Sequence, residues 1–426
     1  MSDTDPAATD FLPPAATPST TLRLRPGRHF PFLARHPWVH AHAMAEDGRD
    51  LACGQVVDLI DHDGNWVARG IINPNSRLRV RLYVFTSDVS IDETLWRERI
   101  DAAIARRRLN STMDRQAAER LIFSESDLIS GLIVDRYADC LGVQFTAGAL
   151  LPWREAILRH LHEVLEPRQI VVKVDERTAK FEGMEPEEGT VWSATAAGEI
   201  PQADVGNPTE FTGTVHYQQN GLQLAVDLLG GQKTGGYLDQ RNNHAVAAGY
   251  CHGRRVLDVC CYTGGFGLVA AKAGAAGVVG VDSSQIALDA AASAAAENGI
   301  ENIEFIRKDC FDALKQMGEQ GDRFDVVVLD PPRFAGSRKQ VDSAIRAYRR
   351  LNGLAVDLLP PGGILVTCSC SGRVSRADFM NMLLDVGRRR GRDIILLENR
   401  GPSSDHPVAA SCPESDYLKC LICQVM

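Results

Sequence analysis

The chain has 426 residues, of which 44% are hydrophobic, 24% charged and 6% aromatic. This length predicts roughly two to four domains, and the composition excludes wholesale disorder, collagen and a small disulfide-stapled protein. The 46 Lys and Arg residues against 55 Asp and Glu residues give a net charge of −9, which excludes a protein that coats nucleic acid non-specifically. We therefore expect any nucleic-acid contact to be local.

Residues 1–20 contain three Asp residues and no Lys or Arg, a pattern typical of neither a secretory signal nor a transit peptide. We predict a disordered tail there. The 11 Cys residues are odd in number and lie mostly within apolar runs, which favours a reducing compartment without disulfides. No apolar run reaches the ~20 residues needed to cross a bilayer. A cytoplasmic protein without a membrane partner is expected.

Residues 21–89 contain short β-type runs, GQVVDLID and LRVRLYVF among them, separated by Gly and Pro. They predict a small β-rich domain. Residues 21–110 carry 14 Arg and no Lys against 11 acidic residues, a local basic bias. Arg77, Arg79 and Arg81 alternate with apolar residues, so a strand would present three guanidinium groups on one face. That row is either an ordinary solvated face or a ridge that contacts RNA phosphates.

Residues 90–200 begin with a predicted helix, for which Ser90, Asp92 and Glu93 supply an N-cap and negative charge in the first turn. Two β-like runs, LISGLIVDRY and CLGVQFTA, an amphipathic helix and the strand QIVVKVD follow. They predict a small α+β middle domain. In residues 201–426 a hairpin-like segment precedes strands and helices in alternation, which predicts an α/β domain with a parallel, doubly wound, Rossmann-like sheet.

A Gly-rich turn follows the first strand of that sheet. VLDVC leads into Tyr262-Thr263-Gly264-Gly265-Phe266-Gly267, where glycine lets the backbone lie against a ligand. Asp282 ends the next strand, where a carboxylate can accept the hydroxyl hydrogens of a ribose. Asp258, just before the turn, would repel a pyrophosphate but attract the ammonium group of a methionine. These features favour S-adenosylmethionine over NAD.

Asp309 follows the third strand and either accepts from the adenine amino group or caps a helix. Ligands of open α/β sheets bind at the carboxyl ends of the strands, where Asp258, Asp282 and Asp309 all fall. The predicted cofactor-binding residues are Gln240, Asp258, Tyr262, Thr263, Gly264, Gly265, Phe266, Asp282, Ser283, Asp309, Cys310 and Pro331.

Two further motifs suit chemistry on a flat base. Asp330-Pro331-Pro332 follows the fourth strand as a rigid turn, and we assign Asp330 to the N3/N4 edge of the base. The fifth strand ends in TCSCSG. Carbon 5 of a pyrimidine is a poor nucleophile, so its methylation needs a thiolate that adds to carbon 6. Cys368 and Cys370 share a strand face; Cys370 lies beyond the strand and is the predicted nucleophile, although two small core residues would explain the pair equally simply.

Other candidate residues carry less information. Lys233 and Arg241 either line the site and contact phosphate or are solvated loop charges. Cys420 and Cys423 have the spacing of half a metal site, but no second pair matches it, and residues three apart on a strand face opposite sides. We expect core residues and no metal.

Several segments together resemble bacterial cytosine-C5 methyltransferases of large-subunit ribosomal RNA that carry an N-terminal PUA domain. GQKTGGYLDQR, CCYTGGFG, LDPPRF, TCSCSG and DHPVAASCPESDYLK resemble the catalytic part, and PGRHFPFLARHPWVHAHA, NPNSRLRVRL and SGLIVDRY the PUA and middle domains. The resemblance implies a class I fold, S-adenosylmethionine as donor and a 23S ribosomal RNA cytosine as acceptor. It also matches Cys370 to the cysteine of the post-strand motif.

The chain departs from that family at two positions. Arg333 stands where many such enzymes carry a second cysteine, and His244 stands where a second arginine is expected. Two alternatives stay open: a purine methyltransferase that uses Asp330-Pro331-Pro332-x-Phe334 and needs no thiol, and a non-catalytic RNA-binding assembly factor. A homodimer is a further expectation.

Overall fold

The computed structural model describes residues 20–109, 114, 116–192, 211–231, 234–336 and 338–426. The predicted tail therefore lies outside the described residues, apart from Thr20. The chain divides into two compact units. The first extends to Val215 and includes Val226–Gly236 and Ala409–Cys412; the second comprises His216–Ala225, Tyr237–Val408 and Pro413–Met426. Among the described helices, none combines the length and apolar character that crossing a bilayer requires.

The first unit begins with a five-stranded sheet in the order β1-β3-β4-β5-β2. Val80 and Leu82 of its fourth strand in that order pack with Leu59 in one apolar core, whereas Tyr83 and Val84 pack in the neighbouring core. Both faces of this strand are therefore covered. The elements are β1 (Thr20–Arg23), α1 (Phe30–Leu33), β2 (Trp38–His40), β3 (Val56–Ile60), β4 (Trp66–Ile72) and β5 (Leu78–Val84).

The arginine row of β5 is mostly buried, which corrects the exposed row expected from the alternation. Arg77 is exposed, but Arg79 and Arg81 are only 4% and 7% exposed. The Arg81 guanidinium forms ion pairs of 3.3 Å with Glu125 and 3.2 Å with Glu182. Alternation on a strand fixes which side chains share a face, but it does not tell whether another sheet covers that face.

A second five-stranded sheet, in the order β10-β9-β8-β7-β6, follows within the first unit. Asp92 caps its leading helix by accepting from the backbone N–H of Leu95 at 3.0 Å. Helices pack on the sheet around Trp96, Phe145 and Trp153. The elements are α2 (Glu93–Arg108), β6 (Ala118–Phe123), β7 (Leu132–Tyr137), β8 (Cys140–Phe145), α3 (Arg154–Leu165), β9 (Gln169–Val174), α4 (Glu176–Glu182) and β10 (Glu187–Trp192).

The predicted hairpin follows, formed by β11 (Thr214–Gln219) and β12 (Leu222–Asp227). Its turn residues Asn220 and Gly221 have φ of +52° and +73°, the left-handed values of a type I′ turn.

The second unit is built on a seven-stranded sheet in the order β15-β14-β13-β16-β17-β19-β18. Strands β13 to β17 pair in parallel, and β19 lies antiparallel to both β17 and β18. The predicted doubly wound α/β sheet is confirmed. The elements are α5 (Arg241–Ala248), β13 (Arg255–Val259), α6 (Gly265–Lys272), β14 (Gly277–Asp282), α7 (Gln285–Glu297), β15 (Ile303–Arg307), α8 (Cys310–Gln320), β16 (Val326–Leu329), α9 (Val341–Leu358), β17 (Gly363–Ser369), α10 (Arg376–Arg390), β18 (Ile394–Arg400) and β19 (Lys419–Val425).

Each face of this sheet has its own apolar core. Alternate strand residues separate cleanly: Leu257 packs with α8, α9 and α10, whereas Val256 packs with α5 and α6. Cys420 and Cys423 are both buried, one in each core. The prediction that these two cysteines are core residues facing opposite sides is confirmed.

Candidate active site

Acidic and thiol side chains gather where the parallel strands end. Strands β13, β14, β16 and β17 are neighbours in the sheet, so their carboxyl ends meet at one edge. Asp258 and Asp282 lie at the ends of β13 and β14, and Asp330 and Cys370 directly follow β16 and β17. We call this region the site edge.

The turn after β13 has an unusual backbone. Cys260 and Tyr262 adopt φ of +60° and +50°, and Gly264, the N-cap of α6, has φ of +80°. Left-handed non-glycine residues are costly and cluster at ligand sites. A Cβ added to Gly265 would lie 2.4 Å from the His244 ring, so glycine is required there for a close approach.

Asp258 is fully buried, and its two carboxylate oxygens differ in their hydrogen bonding. Its Oδ2 accepts from the backbone N–H of Gly267 at 2.7 Å, while Oδ1 is buried and has no hydrogen-bond partner among the described residues. Burial raises the pKa of Asp258 to about 7. A buried oxygen without a donor is a position that a ligand ammonium group would satisfy.

Asp282 is half-buried and tied to the backbone on both sides. Its Oδ2 accepts from the N–H of Tyr262 and its Oδ1 from the N–H of Ser284, each at 2.9 Å. A carboxylate has about four lone-pair sites, so each oxygen can accept one further hydrogen bond. The arrangement can bind a pair of hydroxyl groups.

Asp309 and Cys310 open helix α8. Asp309 is exposed and is the N-cap, with Oδ1 accepting from the N–H groups of Phe311 at 2.9 Å and Asp312 at 3.2 Å. Of the two roles left open for Asp309, the structure therefore shows the helix cap. Cys310 is half-buried, and a hydrogen bond from the thiol of Cys260 holds its pKa below the usual value.

Asp330 is positioned by a polar side chain from α5's leading turn. The Gln240 amide donates from Nε2 to Asp330 Oδ1 at 3.0 Å, and Asn243 donates to Gln240 Oε1 at 2.7 Å, which fixes the orientation of that amide. Burial and the nearby Asp239 raise the pKa of Asp330 to about 7. At neutral pH this carboxyl can therefore donate as well as accept a hydrogen bond.

The two cysteines of the TCSCSG motif differ in environment. Cys368 is fully buried, hydrogen-bonds with the thiol of Cys420, and has a pKa raised by burial. Cys370 is half-buried and lies beyond the end of β17. Tyr237 and Tyr348 each interact electrostatically with both Cys370 and Asp330. The thiol and the carboxyl group therefore lie in the same region, as expected from their positions directly after the neighbouring strands β17 and β16.

The backbone on both sides of Cys370 is held in place. Ser369 donates from Oγ to the Tyr348 hydroxyl at 2.9 Å, and the same hydroxyl lies 3.1 Å from Ser371 Oγ. The ammonium group of Lys419 donates to the Ser371 carbonyl at 2.8 Å. A helix and a strand thus fix the segment that carries the thiol.

Two family models match the chain. One described as S-adenosylmethionine-dependent methyltransferase matches residues 203–407, and one described as PUA-like domain matches residues 22–85. Proteins named ribosomal RNA large subunit methyltransferase I from Shewanella denitrificans and Tolumonas auensis are each 37% identical to this chain, covering 95% of it and 99% of their own length. The chain belongs to the ribosomal RNA large subunit methyltransferase I family. As a member, it is an S-adenosylmethionine-dependent methyltransferase.

Solved structures show the same fold for this family member. A Streptococcus mutans protein described as an S-adenosylmethionine-dependent methyltransferase superimposes with a TM-score of 0.77 at 18% identity, covering 95% of this chain and 100% of that one. A methyltransferase solved with S-adenosylhomocysteine gives 0.79 at 18% identity, with the same coverage. The Rossmann-like class I fold and the PUA-like domain predicted from the sequence are confirmed.

Some predicted site residues have other surroundings in this family member. Phe266 is buried in the core, with its ring 4.4 Å from that of His244, and burial lowers the pKa of His244 to about 4. Arg241 forms an ion pair of 3.1 Å with the buried Asp405. Lys233 lies outside the described residues. Of the remaining predicted residues, Thr263 is half-buried, Ser283 exposed and Pro331 buried.

Sequence reasoning missed three residues of the site edge: Tyr237, Tyr348 and Lys419. Tyr348 lies on α9 within an ordinary amphipathic pattern, so nothing local marks it. Lys419 does carry a signal, because a lysine that opens the apolar run LKCLICQV is an unusual residue in a buried strand.

Proposed function

We propose that this methyltransferase forms 5-methylcytosine in large-subunit (23S) ribosomal RNA through a transient bond between Cys370 and carbon 6 of the base. The names of its relatives support the RNA class. The observation that carries the chemistry is a half-buried thiol, Cys370, directly after β17, with the carboxyl group of Asp330 directly after the neighbouring strand β16.

The RNA contacts are assigned to the N-terminal part of the chain. In this proposal a PUA-like domain, residues 21–89, and a middle domain, residues 90–200, hold the RNA, while residues 201–426 transfer the methyl group. Arg77, which directly precedes β5, is the exposed member of the arginine row and is the one proposed to contact phosphate. The target cytosine must leave its stack to reach a thiol at the end of a sheet.

Four groups of this chain suit S-adenosylmethionine, which supplies an electrophilic methyl group when bound. The free oxygen of Asp258 would accept from the ammonium group, and Asp282 would accept from the ribose hydroxyls. The backbone of residues 262–265 would lie against the ligand, and Asp309 with Cys310 would border its adenine. Gln240 would act through Asp330, to which it donates.

The reaction begins with the thiolate of Cys370. Its electron pair forms a bond to carbon 6, and the π electrons of the C5–C6 bond move to carbon 5. Carbon 5 would then take up the methyl group, with the electron pair of the broken bond left on the sulfur of the departing S-adenosylhomocysteine. The carboxyl group of Asp330 donates a hydrogen bond to N3 and so favours attack on the ring. A base then removes the proton from carbon 5, the C5–H electrons restore the double bond, and the sulfur leaves with its electron pair.

The release step differs from that of the many related enzymes with a second cysteine. Arg333 occupies that place; it is exposed and donates to the Ala335 carbonyl at 2.7 Å. A guanidinium group stays protonated in proteins, so it cannot accept the carbon 5 proton. Another group must serve as the base.

The purine alternative requires the aromatic ring of the Asp-Pro-Pro turn to face a base. Phe334 instead packs with its ring 4.8 Å from that of Tyr348, at the edge of the apolar core. This packing favours the cytosine proposal.

Nucleoside mass spectrometry of ribosomal RNA from cells that lack the gene tests the product. Loss of 5-methylcytosine at one position, restored by the wild-type gene and by Cys368→Ala but not by Cys370→Ala, is expected. An unchanged 5-methylcytosine level would contradict the product. Full rescue of 5-methylcytosine by Cys370→Ala would contradict Cys370 as the nucleophile. Loss of a methylated purine instead, restored by Cys370→Ala, would favour purine chemistry, and RNA binding without transfer of radiolabel would favour an assembly factor.

RNA that contains 5-fluorocytidine tests the covalent step directly. Fluorine cannot leave as a proton, so the bond between enzyme and carbon 6 should persist and survive denaturing electrophoresis. We expect the adduct with wild type and Cys368→Ala, and none with Cys370→Ala.

A further inference from the structure

Lys419 is a buried lysine at the site edge. It is the first residue of β19, pairs with Ser369 across the antiparallel register, and is 2% exposed. Lysine is almost never fully buried unless it is paired, because removing an ammonium group from water is costly. Its position beside the thiol-bearing segment therefore calls for a physical reason.

The hydrogen bonds of Lys419 anchor it to that segment. Its Nζ donates to the carbonyl oxygen of Ser371 at 2.8 Å and to that of Tyr417 at 2.7 Å. Both acceptors are neutral, so these bonds hold the ammonium group in place without neutralising its charge. Ser371 directly follows Cys370, so the ammonium group is anchored to the backbone one residue beyond the thiol.

The charged neighbours of Lys419 include two groups of opposite charge. Asp416 attracts the ammonium group most strongly and Cys370, as a thiolate, attracts it next, whereas Arg376 and Arg333 repel it. Asp416 is shared, since it also forms a 3.6 Å ion pair with Arg376.

The tyrosines around the thiol add no charge at neutral pH. Burial raises the pKa of Tyr237 and of Tyr348 to about 12. Burial also lowers the pKa of Lys419, to about 8, which still leaves it mostly protonated at pH 7. Asp330, which acts on both tyrosines, is the acidic group that directly follows the neighbouring strand β16.

We propose that Lys419 is the positioning residue whose ammonium group keeps Cys370 in its thiolate form. A cation next to a cysteine stabilises the thiolate, which is the reactive species. The use of that thiolate in methyl transfer rests on the proposed function, whereas its protonation state can be measured independently.

The pH dependence of alkylation of Cys370 by iodoacetamide tests the proposal on the full-length protein. Peptide mass spectrometry follows residue 370 separately from the buried Cys368. In the wild type we expect a thiol that titrates below the ordinary cysteine pKa of about 8.5. In Lys419→Met we expect alkylation at pH 7 to slow by about tenfold or more and to recover above pH 9, because one adjacent charge shifts a pKa by about one or more units.

Two variants complete the design. Lys419→Arg keeps the charge and should keep most of the low pKa. Lys315→Met makes the same chemical change at an exposed position of α8 and should leave the titration of Cys370 unchanged.

A wild-type thiol that titrates at or above the ordinary value would overturn the proposal, whether or not Lys419→Met folds. So would a folded Lys419→Met with an unshifted profile. Failure of the proposed function has a different signature: Cys370→Ala would retain methyl transfer while the effect of Lys419 on the thiol persisted.

Discussion

Buried charges are handled in opposite ways in the first unit and at the site edge. In the first unit Arg120 donates to both oxygens of the fully buried Asp135, at 2.8 and 2.7 Å, and Arg107 pairs with Asp127 in the same manner. At the site edge, Asp258 has no basic partner among the described residues, and its pKa rises to about 7. A paired buried charge holds a fold together, whereas an unpaired one is tolerated where a ligand completes it.

The largest effect is expected from breaking a pair in the first unit. Asp135→Ala leaves the Arg120 guanidinium buried without a counter-ion and should lower stability by about 3–5 kcal/mol. Urea unfolding measures this loss of stability, and hydrogen exchange of the backbone amides in β6 to β9 locates it. Asp139→Ala is the matched control, since it removes the exposed pair with Arg168 and should cost at most about 1 kcal/mol. Equal losses in the two variants would contradict the comparison.

Removing the unpaired carboxylate of Asp258 should weaken ligand binding without lowering the stability of the unliganded protein. Asp258→Asn should weaken S-adenosylmethionine binding by about 10- to 100-fold, the range for a lost hydrogen bond to a charged group. The unliganded protein should be no less stable at pH 8, because a buried unpaired charge disappears. Calorimetric titration and thermal unfolding measure both, with the exposed Asp312→Asn as control. A large loss of stability with unchanged affinity would show that Asp258 is structural.

The raised pKa of Asp258 also predicts a pH dependence. Below pH 7 the carboxyl group is mostly protonated and cannot attract an ammonium group, so affinity should rise up to about tenfold per pH unit as the pH approaches about 7, then level off. Titration in buffers of different ionisation enthalpy should detect proton release. Because the folded pKa lies above the unfolded value of about 4, the unliganded protein should lose stability as pH rises from about 4 through 7. Asp258→Asn should reduce both trends.

The smallest effect is expected for Arg77, the exposed arginine that directly precedes β5. Arg77→Ala should weaken RNA binding a few-fold and lower the salt dependence by about one counterion, without a change in stability. Arg81→Ala, four residues on, should instead lower stability, because Glu125 and Glu182 lose their partner. Filter binding across a salt series and thermal unfolding separate the two. An unchanged salt slope for Arg77→Ala would remove it from the RNA contact.

Local sequence patterns predicted the fold and, within the site edge, the positions of its acidic residues and of Cys370. The end of the fifth parallel strand separated Cys368 from Cys370, which strand parity could not do, and strand ends brought Asp258, Asp282 and Asp330 to one edge. These predictions succeed because they depend on a few neighbouring residues. The missed contacts join distant parts of the chain: Lys419 reaches Ser371 across 48 positions. Single-strand alternation could not tell that the Arg81 side chain is covered by residues distant in the sequence, Glu125 and Glu182 among them.

The place of β19 between β17 and β18 has a consequence for synthesis. The ribosome synthesises β17, which Cys370 directly follows, some 50 residues before it synthesises β19. The two strands pair with each other, with Ser369 opposite Lys419. A nascent chain halted between these points would hold its thiol beside an open sheet edge, with no ammonium group behind it. Competence to modify RNA should therefore appear abruptly, late in translation, when the final strand inserts.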